Sequence, residues 1–177
     1  MARATKLRAV HPSTGELSIL LGLIDEAYDK QAWHGPNLKG SIRRATAAEA
    51  GWRPHPGRHS IAEQVVHAAY WKYAVRRRLC GNKRGSFALK GSNWFAIDSA
   101  LPESSWKDYV GLLDSEHRAL RATVAEFPPG RLTEFVGARK WRCNALIRGI
   151  ALHDVYHAGQ IQLLKRLLAE RQRTPAG

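Results

Sequence analysis

Apolar residues recur at helical spacing in four long stretches of the chain, separated by clusters of proline, glycine and small polar residues. In the first stretch Leu17, Leu20, Leu21, Ile24 and Tyr28 share one face up to about Gln31, and Ser13-Thr14-Gly15-Glu16 has the form of a capping box that opens it. His34-Gly35-Pro36 stops this helix. Residues 40–53 connect, with Thr46-Ala47-Ala48-Glu49 able to cap one short turn, and Trp52-Arg53-Pro54-His55-Pro56-Gly57 breaks the chain again. A second capping box, Ser60-Ile61-Ala62-Glu63, predicts a helix over 60–79 whose first half carries the stripe Ile61, Val65, Ala68 and Ala69. His67 falls off that stripe, in line with Glu63 and Trp71, so periodicity places it at a boundary or on the surface.

Residues 80–101 form a long, glycine-containing connection with Trp94 and Phe95 as apolar anchors, and the expectation is a plain crossover rather than a lid. The third helix spans about 102–127, with Trp106, Tyr109, Val110, Leu113, His117, Leu120 and Val124 on one face, and Pro128-Pro129-Gly130 ends it. Thr133, Phe135 and Val136 suggest a short extended piece but no sheet. The last helix starts near Asn144 and fades at Arg171, with Leu146, Ile150, His153, His157, Leu164 and Leu167 on one stripe. Four amphipathic segments and one long connection predict an all-α fold, a four-helix bundle with a crossover. The bundle domain covers 13–171, between a basic extension, 1–12, and a tail, 172–177.

Composition narrows the class. The 177 residues suffice for one domain with a sizeable core, and a hydrophobic share of 44% excludes general disorder. No apolar run approaches the roughly 20 residues of a membrane span, and the basic amino terminus leads into no signal-type segment. A cytoplasmic protein with no membrane span is the expectation. Two cysteines, Cys80 and Cys143, stand far apart outside any CxxC pattern, which argues against a disulfide framework or a thiolate zinc site. The net charge of +13 makes an anionic partner plausible. No nucleic-acid-binding motif accompanies it, so a solvated basic surface is favoured over nucleic-acid binding.

Chemistry enters with the last helix. His153 and His157 stand four residues apart in the middle of an apolar stripe, where unpartnered polar rings cost roughly 1–3 kcal/mol each. Two imidazoles at this spacing converge on one point, which suits a metal ion, but a hydrogen-bonded core pair fits the same pattern. Asp154 follows His153 where the HExxH motif of zinc proteases has glutamate. His55 and His59 share the spacing, but Pro56 and Gly57 between them make them loop residues, and His11 and His34 read as surface or turn positions.

The runs HDVYHAGQIQLLKR at 153–166 and RHSIAEQVVHAAYWK at 58–72 resemble the DinB-like superfamily of bacterial, DNA-damage-inducible, metal-binding four-helix bundles. The resemblance extends over nearly the whole chain. It implies a divalent metal held by His67, His153 and His157, which turns His67 inward against the helical wheel, and frequent assembly as homodimers. Gln160, following the HxxxHxGQ pattern, is implied as a support behind the ligands or a partner of metal-bound water. His117 has no counterpart in that pattern, and a core hydrogen bond is expected for it.

Three imidazoles would leave a divalent ion with open positions, and zinc, nickel, iron or cobalt would all suit them. Such an ion can acidify water for hydrolysis or hold a thiol as thiolate. The resemblance implies thiol S-transferases and isomerases that use low-molecular-weight thiols. Those are anionic small molecules, for which Arg139, Lys140 and Arg142 are rim candidates, although solvated charge is the plainer reading of each. A non-enzymatic dimeric bundle or a metal-dependent hydrolase is the alternative.

Overall fold

The computed structural model describes residues 14–83, 85–137 and 141–173. Four long helices dominate: α1 (Thr14–Tyr28), α4 (Ile61–Leu79), α5 (Glu103–Ala125) and α6 (Cys143–Arg173). Two short helices, α2 (Leu38–Ile42) and α3 (Ala47–Gly51), lie between α1 and α4. A 3₁₀ turn at Pro129–Arg131 and two short strands, β1 (Phe135–Val136) and β2 (Trp141–Arg142), precede α6. The strands pair antiparallel, Phe135 opposite Arg142 and Val136 opposite Trp141, so a minimal ladder replaces the unpaired extended piece expected there. The fold is all-α apart from this hairpin.

Local chemistry sets the boundaries. Ser60 and Glu63 form the expected capping box on α4, and Thr46 and Glu49 form another on α3. Asn37 caps α2 by accepting from the Gly40 amide, a helix that periodicity over so few residues does not reveal. The capping box expected at Ser13 lies outside the described residues, as do residues 1–12 and 174–177. Gln172 and Arg173, expected in the tail, still belong to α6.

Both α1 and α4 pack against α5 and α6, so each long helix has two neighbours among the other three. The core is divided along its length. One apolar cluster gathers Ile61, Val65, Ala69, Leu113, Ile161 and Leu164, and a second gathers Ile24, Val75, Leu120, Val124, Ile147 and Ile150. At or next to the point where one cluster gives way to the other along three helices stand polar residues: His67 and Lys72 on α4, His117 on α5, and His153, Asp154 and His157 on α6. A polar layer thus crosses the middle of the core, and Tyr28 of α1 stacks on His117 within it.

Two stripe assignments need correction. The centre of the buried face of α6 runs through Ile147, Ile150, Asp154, His157, Ile161 and Leu164, part of a turn away from the face expected. Leu167 is accordingly 37% exposed. In α4, all nine residues from Ile61 to Ala69 are buried, because α3, α5 and α6 surround its first half. A helix buried all round has no polar face to read. His67 is therefore 4% exposed instead of lying at a boundary. No described helix is long and apolar enough to cross a membrane.

Candidate metal centre

The polar layer brings three imidazoles to one point. His67 Nε2 lies 3.1 Å from His153 Nε2, and His157 Nε2 lies 3.2 Å from that same atom. One nitrogen from each ring falls within 4.8 Å of the others. Two ligand nitrogens held about 2.0–2.1 Å from one tetrahedral ion would be roughly 3.3 Å apart. The two distances to His153 Nε2 match that to within a few tenths of an ångström.

The outer nitrogens decide where the protons are. His67 Nδ1 donates to the backbone carbonyl of Asn93 at 2.8 Å, and His157 Nδ1 donates to Gln64 Oε1 at 3.1 Å. Neither oxygen has a proton to give, so in the neutral rings both Nε2 atoms are bare lone pairs. Both point at His153 Nε2, which has at most one proton to share. At least one of the two short contacts therefore sets lone pair against lone pair. His153 Nδ1 is itself buried with no hydrogen-bond partner.

Extra protons do not relieve this. Burial lowers the pKa of His67, partly offset by its bond to Asn93. Burial, then the neighbouring His157 and His67, push His153 down to about 3. Burial, then His67, bring His157 to about 4, although the Gln160 side chain acts in the opposite direction. All three are neutral ligands near pH 7. A cation placed among the Nε2 atoms satisfies what protons cannot, and the donor set fits a divalent ion with open positions.

The surroundings hold the rings in place. Asn93 adopts a left-handed backbone, φ 63°, which presents its carbonyl to His67 and its side-chain oxygen to Trp71 Nε1 at 3.0 Å. The next residue, Trp94, is sandwiched between His67 and His59, with ring centroids 3.8 and 3.6 Å away and nearly parallel planes. The 80–101 connection is therefore a cover for the site as well as a crossover. It is held down where the Ser99 carbonyl packs on Gly51, a place with no room for a side chain. On another side, a cavity of about 530 Å³ between α4, α6 and the hairpin reaches His153.

Other expected participants fall elsewhere. Gln160 leaves its Oε1 buried without a hydrogen bond while its side chain still acts on His157, and Gln64 supports that ring as well by accepting from its Nδ1. Gln64 occupies the i+3 place of the Ile61–Val65–Ala68 stripe, a polar residue on an apolar line, and that was a readable signal. Nothing comparable marks Asn93, whose role depends on a loop conformation. His117 stacks on Tyr28 at 3.6 Å and leaves Nδ1 buried and unpartnered, where a core hydrogen bond was expected. Burial, and then Lys72, push its pKa down to about 3. Asp154 turns away from the histidines and forms a buried ion pair with Lys72. Arg142 is engaged by the hairpin, donating to the Thr133 carbonyl and stacking on Phe135, and Arg139 and Lys140 lie outside the described residues. Both cysteines are free, and burial raises the Cys143 thiol.

Neither the curated proteins nor the solved structures contain a significant match to the chain. The family model of the DinB superfamily matches residues 32–161, a span that holds all three histidines, Gln64, Asn93 and Trp94. The chain belongs to the DinB superfamily.

Proposed function

We propose that this protein binds one divalent metal ion through His67, His153 and His157 and uses its open positions on a small molecule, with thiol S-transfer as the reaction. The observation that carries the metal reading is the pair of bare Nε2 atoms of His67 and His157, both aimed at His153 Nε2. A bound ion of this kind holds a thiol as thiolate or acidifies a water molecule. Around it, the Asn93 carbonyl and Gln64 fix the tautomers of two ligands, and Trp94 shields the His67 ring from water. The thiol reading rests on the chemistry of an N-donor site whose open position would take a soft ligand. Metal-assisted hydrolysis uses the same open position.

Metal content after supplementation tests the first step. Protein purified without a chelating tag is expected to hold about one ion of zinc, nickel, iron or cobalt per chain, and His157→Ala close to none. Wild-type protein that stays metal-free overturns the proposal. Loss of thiol after incubation of the loaded protein with a low-molecular-weight thiol and an alkylating electrophile, above the rate of His157→Ala, tests the reaction.

Homodimer formation belongs to the same proposal. Leu152, Tyr156 and Leu163 form an exposed apolar line on the outer face of α6, which supports it. Light scattering that finds a monomer at working concentration removes this part.

A further inference from the structure

The cavity beside His153 has a chemistry of its own. Its walls are Trp71 and Val75 from α4, Trp141 from the hairpin, and Leu146 and Gly149 from α6, with His153 at its end. Among the described residues the lining is apolar apart from that histidine and one cation, Arg78, whose guanidinium lies over the Trp71 ring at 5.5 Å and makes no ion pair with them. Its volume, about 530 Å³, lies within the range of small-molecule sites. Gly149 stands one helical turn before His153, and a side chain added there would meet nothing within 4 Å. Mid-helix glycine is unfavourable relative to alanine, and packing gives no reason for it here. The missing side chain leaves space along the wall of the cavity.

We infer that this cavity binds the body of the substrate, and that the substrate is an apolar or aromatic small molecule carrying one anionic group. The apolar part lies between Trp71, Trp141 and the Gly149 gap, and Arg78 pairs with the anion at the rim. The link to chemistry rests on the metal reading above, because His153 belongs to both cavity and triad. The cavity's selectivity does not depend on the ion.

Isothermal titration with 4-phenylbutyrate and acetate, on zinc-supplemented and on metal-free protein, separates the two. Phenylbutyrate is expected to bind at least tenfold more tightly than acetate in both preparations. Gly149→Phe, which fills the gap, is expected to bring phenylbutyrate down to the affinity of acetate. Gly149→Ala, with one added carbon, keeps most of the preference, and thermal melting shows that both variants are folded. Arg78→Gln is expected to weaken phenylbutyrate several-fold and leave 4-phenyl-1-butanol unchanged. Equal affinities for acetate and phenylbutyrate in the wild type overturn the inference, as does a folded Gly149→Phe variant that keeps the preference. An Arg78→Gln variant that binds acid and alcohol as the wild type does overturns its anionic part. Failure of the protein to take up zinc defeats the metal reading, while the metal-free titration still decides the cavity.

Discussion

His153 and Asp154 are neighbours on α6, and each meets a residue of α4: His67 in one case, Lys72 in the other. Both encounters are buried in the same polar layer, yet they are built differently. Lys72 and Asp154, each with 1% of its side chain exposed, cancel each other's charge. Burial raises Asp154 and Lys72 pulls it back. The ammonium also lies 4.9 Å over the Tyr28 ring, whose hydroxyl binds Asp114, itself held by Lys39 at 2.6 Å. That chain of contacts supplies its own counter-charge. The three histidines face one another with more lone pairs than protons. The difference separates a cluster whose charges balance internally, although Asp154 Oδ1 stays without a hydrogen bond, from one that calls for a cation from outside.

The comparison can be broken most directly at Lys72. Lys72→Met strands the Asp154 carboxylate and is expected to cost about 3–5 kcal/mol in urea unfolding, with Lys72→Met/Asp154→Leu recovering most of it. A single variant losing less than about 1 kcal/mol would mean that the pair does not hold the layer together. Acid separates the clusters next. Burial keeps His153 and His157 below an exposed histidine, so the unfolded chain takes up protons first as pH falls. Metal-free stability is whole above about pH 6.5 and declines toward pH 4, with about 2 kcal/mol lost for each of these rings between pH 7 and 5. Unfolding curves across that interval check it, and His153→Ala/His157→Ala should remove the share of these two rings and leave the part that His67 and His117 carry.

Zinc at a hundred times its dissociation constant should then add about 2.7 kcal/mol of stability, seen as a raised melting temperature. That gain should vanish in His157→Ala and survive when the Lys72–Asp154 pair is replaced. The smallest effect concerns support. Gln64→Leu frees the His157 tautomer and is expected to weaken zinc about 10–100-fold in competition with a chromophoric chelator. Unchanged affinity would reassign Gln64 to packing.

What could be read in the chain follows from how local each feature is. The capping boxes at Ser60 and Thr46 involve residues three apart, and sequence alone placed both. The i, i+4 pair on α6 is equally local. His67 was not legible from periodicity, because α4 is buried on all sides where it stands, and only the family resemblance turned it inward. Lys72 and Asp154 each occupy a buried stripe, but their pairing spans 82 residues and leaves no mark in either helix alone. Asn93 and Trp94 depend on the path of a long connection, which no short-range rule fixes.

The separation in sequence between His67 and His153 also bears on how the site is made. These two histidines stand 86 positions apart, and no two neighbouring long helices in chain order bring all three together. Contacts between distant segments form late, after the loop between them has been closed. An ion offered during synthesis would find α4 with one imidazole and nothing opposite. On the proposed metal reading, loading follows docking of α6, and the ion would act as a latch on a finished fold rather than as the nucleus of a growing one.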